Sequence, residues 1–258
     1  MEEINRLPNK SILIRVYGDS LSMPRQQYGI PYYETYPELF KKKLKKKFSG
    51  FDVNLYNRSQ GGNDIRKLFK TIAKDCAYFF NNNLEIIIIQ SGIVDCAPRP
   101  VPQRVRLIID KIKNQFLKKK IISYIHAHRA NFIKIKGDKP FRKTNPSDYK
   151  RILDRMIRLL NGKNNNILLI NIPPTFDHLN QRSPGLQSSI KIYNHIIKKT
   201  INNINSEDIK LADIYTFINN DPNGLKKYIS DGIHITKEAH KLYCDLLMES
   251  IDIDDKII

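Results

Sequence analysis

Residues of the types that acyl transfer requires stand at opposite ends of this chain. Ser20 lies in "YGDSLS" (17–22), directly after an apolar stretch, and Asp231 and His234 stand three apart in "YISDGIHITKEAH" (228–240). A serine hydroxyl is a poor nucleophile at neutral pH. It needs a base within hydrogen-bond reach and donors for the oxyanion that forms. An imidazole beside a carboxylate supplies that base, because the carboxylate fixes the tautomer and stabilises the imidazolium. Each motif also has a plainer use. Asp19 or Ser20 suits a helix cap after a strand. Asp231 suits the cap of the last helix, with His234 in its first turn, and Gly61-Gly62 suits an ordinary turn.

Position gives these weak signals their joint value. "SILIRVY" (11–17), "DVNLYN" (52–57), "EIIIIQS" (85–91), "ILLINI" (167–172) and "IKLADI" (209–214) read as strands, several of them apolar at nearly every position, as in sheets covered on both faces. Helical patterns fall between them near 36–48, 64–80, 103–127, 147–161, 186–203 and 236–250. The alternation predicts an α/β fold: a single-domain three-layer α/β/α sandwich over 1–258 with a five-stranded parallel sheet, flavodoxin-like in type. Ligands bind outside the carboxyl ends of such strands. Polar motifs sit at or near these ends: "YGDSLS", "NRSQGGND" (57–64), "SGIVDCAPR" (91–99), and the Asp231–His234 segment that precedes the last helix. The irregular region 96–146 follows the third strand and is expected to help shape a substrate site.

Composition narrows the class further. Apolar residues make up 41% of the 258 and charged residues 27%, ordinary values for a water-soluble globular chain. No apolar run reaches the roughly 20 residues of a membrane span, and "MEEINRLPNK" has no apolar signal core. Three widely spaced cysteines, Cys76, Cys96 and Cys244, lack zinc-ligand spacing and point to a reducing, cytoplasmic setting. The net charge of +18 has two readings, an anionic partner or a bias toward Lys, Asn and Ile throughout the chain. In "FKKKLKKKF" (40–48) the apolar residues recur every fourth position, so the lysines read as a solvated helix face. No nucleic-acid recognition motif accompanies the charge, so specific nucleic-acid binding is not expected. His126 and His128, two apart, suit a strand face better than a helical metal pair, and no ligand cluster surrounds them. No metal site is therefore read.

The four blocks, in this order, resemble the SGNH/GDSL hydrolase family over residues 12 to about 248. The resemblance implies that Ser20 of Gly18-Asp19-Ser20-Leu21 is the nucleophile, that Asp231 and His234 complete a triad, and that the Ser20 and Gly62 N–H groups hold the oxyanion. One block departs. Where the family has Gly-x-Asn-Asp, this chain has Gly92-Ile93-Val94-Asp95, so Val94 replaces a side-chain oxyanion donor. Loss of one such donor costs roughly 3–4 kcal/mol of transition-state stabilisation. Asn63 and Arg99 are candidates to fill the gap, against plainer roles as a helix cap and an ion pair. Asp19, Asp95 and Arg99 are assigned to the substrate side. The expected activity is acyl-ester hydrolysis through an acyl-enzyme, on O-acetylated carbohydrate by family analogy, with no metal or organic cofactor. The alternatives are an O-acyltransferase that modifies a surface polysaccharide, and a catalytically weak saccharide-binding protein. The partner is a small-molecule or glycan ester, with an anionic one suggested by the charge.

Overall fold

The computed structural model describes residues 11–78, 84–137, 139–162 and 165–251. Its centre is one parallel sheet of β1 (Ser11–Tyr17), β2 (Asp52–Asn57), β3 (Leu84–Gln90), β4 (Asn165–Ile170) and β5 (Ile209–Ala212), in the order β2-β1-β3-β4-β5. Central β3 is buried from Glu85 to Gln90, which explains its unbroken isoleucine run, whereas edge strand β2 has an exposed Asp52 and Asn54 around buried Val53. The chain reverses direction across the sheet between β1 and β3. The crevice at that reversal, outside the carboxyl ends, is the natural ligand position in this topology.

Helices cover both faces. α1 (Tyr36–Lys47) and α12 (Lys237–Ser250) pack together on one side. α2 (Ile65–Tyr78), α7 (Pro146–Leu160) and α9 (Leu186–Ile204) form the other layer. Phe40 and Leu44 of α1 are fully buried, Phe48 is half-buried at its end, and most of the intervening lysines face water. Short α3 (Ile93–Cys96) follows β3. The expected helix 103–127 is broken: α4 (Gln103–Asp110) stops and α5 (Gln115–Ala127) restarts, because the Asn114 side chain accepts the Leu117 N–H and caps a new helix. His126 lies in the last turn of α5 and His128 joins it to α6 (Arg129–Lys134), so the strand reading of this pair is wrong. Further short pieces include four that bear on the site. α8 (Asp177–Arg182) follows β4, and α10 (Ile214–Asn220) and α11 (Gly224–Tyr228) separate β5 from α12. The fourth is the 3₁₀ turn Ser20–Ser22 after β1.

The three cysteines are free. No described helix is long and apolar enough to cross a membrane.

Within the sheet, Arg15 of β1 and Glu85 of β3 form an ion pair with side chains only 3% and 5% exposed. Removing one partner strands a buried charge, whereas replacing both with apolar groups removes the desolvation cost as well. Glu85→Leu is expected to destabilise the fold by about 3–5 kcal/mol in urea unfolding, and Arg15→Met with Glu85→Leu to recover most of that loss. A double variant no more stable than the single one would show that the pair has a different role.

Candidate active site

The serine loop is shaped by close packing at the end of β1. A Cβ on Gly18 would lie 2.2 Å from Ser22 Oγ and 2.8 Å from Ser59 Oγ, so only glycine lets the backbone through. The Gly18 carbonyl accepts the Gln60 N–H (3.2 Å) and the Asn63 side-chain amide (3.2 Å), which fastens the loop after β2 to the serine loop. Asp19 Oδ1 accepts the Leu21 N–H at 2.9 Å and caps the 3₁₀ turn that begins at Ser20. The capping use and the candidate nucleophile therefore coexist in adjacent residues.

The histidine loop is closed on itself. Ile229 and Ile235 form an antiparallel bridge, and the Ser230 N–H donates to the His234 carbonyl at 2.8 Å. Asp231 Oδ1 accepts two backbone N–H groups, from Ile233 (3.1 Å) and His234 (2.8 Å). This loop precedes α12, whose cap is Thr236, so Asp231 is not the helix cap that the spacing also allowed. Gly232, at φ +89°, sits against the segment after β4: its carbonyl accepts the Thr175 hydroxyl, and a Cβ there would meet Leu179 at 2.5 Å.

Across 214 positions of sequence these loops converge. Ser20 Oγ lies 3.3 Å from His234 Nε2, and His234 Nδ1 lies 2.7 Å from Asp231 Oδ2. Because the carboxylate can only accept, Nδ1 carries the proton and donates to it. Nε2 then presents its lone pair, and the Ser20 hydroxyl donates. Partial burial pushes the Asp231 carboxyl up, but the amides of His234 and Ile233 and the His234 ring outweigh it and hold it well below the usual range. Arg25 Nη1 reaches the same Oδ2 at 3.4 Å and covers the Tyr28 ring at 4.2 Å. No sequence signal marked Arg25, since the contact joins segments 206 residues apart. The histidine side chain is 25% exposed, so the row opens to solvent rather than lying under packing.

The remaining expected residues divide. Among the described residues, the Ser20 and Gly62 N–H groups meet no intramolecular acceptor. Asn63 is 3% exposed with its amide on Gly18, so it braces the serine loop instead of filling the gap at Val94. Asp19 and Asp95, expected on the substrate side, are both 0% exposed. Asp95 of α3 accepts the Ile65 N–H with both oxygens (3.2 and 3.1 Å), tying the segment after β3 to the start of α2. Both were misplaced because a strand-end carboxylate looks the same in sequence whether it faces a ligand or a buried amide. Arg99 donates from Nη2 to the Val94 carbonyl (3.3 Å) and lines a cavity of about 250 Å³.

No protein-family profile and no curated protein matches this sequence. Solved structures do match by shape. A lipase/acylhydrolase from Enterococcus faecalis has a TM-score of 0.61 at 14% identity, covering 95% of this chain and 96% of that one. A member of the lipolytic G-D-S-L family from Veillonella parvula has 0.58 at 13%, covering 93% and 97%. A catalytic mutant of an acetylxylan esterase from Geobacillus stearothermophilus has 0.59 at 11%, covering 95% of each chain. At such identities the likeness is one of fold. The chain has the three-layer α/β/α fold of GDSL-type lipases, acylhydrolases and acetylxylan esterases, as the resemblance in its four blocks implied.

Burial pushes the Asp19 carboxyl up to about 7, against the opposing Leu21 amide and Gln90 side chain. Asp95 is pushed the same way, also to about 7, chiefly by burial. A carboxyl that holds its proton more tightly folded than unfolded withdraws stability as pH rises from about 4 to about 7, and the whole loss is present above that. Stability is therefore expected to fall across this window, by up to about 1.4 kcal/mol per pH unit for Asp19 alone. Asp19→Asn keeps the capping oxygen and is expected to flatten the profile in urea unfolding at pH 5, 6, 7 and 8. An unchanged slope would mean that Asp19 is ionised throughout.

Proposed function

We propose that this protein is a serine-dependent acyl-ester hydrolase. The observation that carries the reading is the single row from Ser20 Oγ through the His234 ring to Asp231 Oδ2, at 3.3 and 2.7 Å. In the reaction, His234 Nε2 takes the Ser20 proton as Oγ attacks the ester carbonyl. Asp231 holds the ring and stabilises its positive charge. The carbonyl oxygen becomes an oxyanion held by the Ser20 and Gly62 N–H groups. Collapse expels the alcohol, which leaves with the proton from His234, and an acyl-enzyme remains. Water then attacks with His234 again as base, and the carboxylic acid departs. The 3.3 Å serine–histidine distance is that of an unliganded site, which tightens as substrate binds.

The site has one donor fewer than the resembling family, since Val94 offers none. Slower chemistry follows, by roughly 10² to 10³ relative to a three-donor site. O-Acetylated carbohydrate is the proposed substrate class, supported by the acetylxylan esterases among proteins of this shape. Arg99 is the proposed contact for an anionic group. Transfer of the acyl group to a glycan hydroxyl in place of water uses the same first half-reaction and differs only in the acceptor. The cytoplasmic setting belongs to the same proposal and is supported by the three free thiols.

Wild-type protein is expected to hydrolyse p-nitrophenyl acetate, and Ser20→Ala to lose at least about a thousandfold in kcat. A fluorophosphonate is expected to label the wild type at Ser20 and to spare the variant. Equal turnover by both proteins would remove Ser20 from the mechanism, and a folded wild type that resists labelling would favour a saccharide binder. Labelled product from acetyl-CoA and a glycan would mark a transferase, whereas free acetate alone marks a hydrolase.

A further inference from the structure

The cavity beside Arg99 collects positive charge with little to balance it. Arg99, Arg106 and Arg129 all line it, against an apolar wall that includes Pro98, Ile109 and Ile122. Arg129 is fixed by neutral acceptors: Nε donates to Ser183 Oγ at 2.9 Å and Nη2 to the Pro98 carbonyl at 2.7 Å. Arg99 donates to the Val94 carbonyl, and its Nε is buried with no partner. Among the described residues, no carboxylate pairs with Arg99, Arg106 or Arg129. The one acid in the lining, Asp110, is turned to Lys118 at 3.7 Å. Burial and then the Arg106 charge disfavour the charged form of Arg99 and outweigh the opposing pull of the Asp95 and Asp64 carboxylates. Burial, then Arg182 and Arg99, do the same to Arg129. Like charges held together in a partly dry cavity are costly unless an anion joins them, and guanidinium forks match carboxylate and phosphate oxygens two at a time.

Two runs of contacts link the cavity to the serine site. Arg99 is anchored to Val94, just past the end of β3, and β3 is paired with β1, whose end carries Ser20. α8 links the two from the other side: Leu179 packs on Gly232 of the histidine loop, and Ser183, at the end of α8, holds Arg129. We infer that this cavity binds the carboxylate or phosphate of the substrate, so that the esters selected are acyl esters of acidic saccharides. The choice of ester rests on the hydrolase reading above; the binding of an anion does not.

Calorimetry on Ser20→Ala protein tests the anion separately from the chemistry. The probes are O-acetylated glucuronate, O-acetylated glucose 6-phosphate and O-acetylated methyl glucoside. At least one anionic probe is expected to bind about tenfold tighter than the neutral one at low salt, with the advantage shrinking as salt rises. Adding Arg99→Gln or Arg106→Gln is expected to abolish the advantage, and Arg99→Lys to keep part of it. Whichever anionic probe shows the larger advantage identifies carboxylate or phosphate as the group held. Equal binding of charged and neutral probes, or a preference that survives both glutamine variants in protein with native circular dichroism, overturns the inference. Wild-type turnover of all three esters without charge preference would sink the anion site and leave the Ser20 mechanism standing. Arg99-dependent binding with no turnover of any probe would do the reverse.

Discussion

One buried chain of hydrogen bonds sets where the imidazole can sit. Ser22, two residues after the candidate nucleophile, donates to Gln90 Oε1 at the end of β3 (3.0 Å) and lies 2.6 Å from the Tyr36 hydroxyl. A serine hydroxyl has a single proton, and Gln90 takes it, so Tyr36 must donate to Ser22. At the other end of the same residue, the Tyr36 N–H, one of the donors a helix start leaves unpaired, donates to His240 Nδ1 at 3.0 Å. The serine loop, β3, α1 and α12 are thereby joined through four side chains that are each no more than 1% exposed. Burial pushes His240 down to about 4, which keeps it neutral near pH 7 and able to accept. A protonated ring would have no lone pair for Tyr36, so the network also specifies a charge state. His240 thus acts at a distance from the chemistry, in fixing the helix that follows the histidine loop.

Long-range docking and local closure divide the work. The network above positions α12 against α1, with Tyr36 packed on His240 and Tyr243. It cannot orient a side chain six residues earlier. Orientation comes from Asp231, one oxygen of which is saturated by two backbone amides, so that the other is left for the ring. That carboxylate is pinned by amides of its own loop, and the Thr175 and Leu179 contacts at Gly232 help hold the loop in place. On the hydrolase reading, a His–Asp pair already hydrogen-bonded in its own loop would cost little reorganisation at the moment of reaction.

The sequence carried the scaffold well because burial on both faces writes itself into composition. β1 and β2 begin and end where their apolar or alternating patterns do, and the strand ends carry the polar blocks. Ser20, Asp231 and His234 stood out as polar residues at places where a parallel sheet offers a crevice, and the structure brings these three together, whereas Gly62 was singled out only by the family resemblance. What stayed hidden depends on direction. Asp19 and Asp95 point inward to amides, Asn63 turns to a carbonyl, and His240 finds a backbone N–H more than 200 residues away. The break at Lys111–Asn114 was masked because the apolar spacing runs on across it, although Asn114 is a residue type that caps helices. Arg129 and Arg25 carried no signal at all, in a chain with 44 basic residues.

The valine at position 94 and the arginines beyond it belong to one argument. On the hydrolase reading, an oxyanion held by two backbone amides lacks a third donor at the reacting bond, and Arg99 does not replace it, since Arg99 is tethered to the Val94 carbonyl and lines a neighbouring cavity. Transition-state stabilisation lost at the carbonyl can be recovered only through interactions that strengthen as the reaction proceeds, or through binding energy from remote groups that offsets the cost of orientation. Anchored guanidiniums such as Arg99 and Arg129 are suited to the second route. On the inference drawn above, they would grip an anionic handle and help hold the ester in line with Ser20 Oγ. Neutral esters, with nothing to grip, would meet only the weakened oxyanion site. Catalytic weakness at Val94 and selectivity at Arg99 are then two consequences of one short segment after β3. They would be separated by substrates that differ in charge but share the same acyl group.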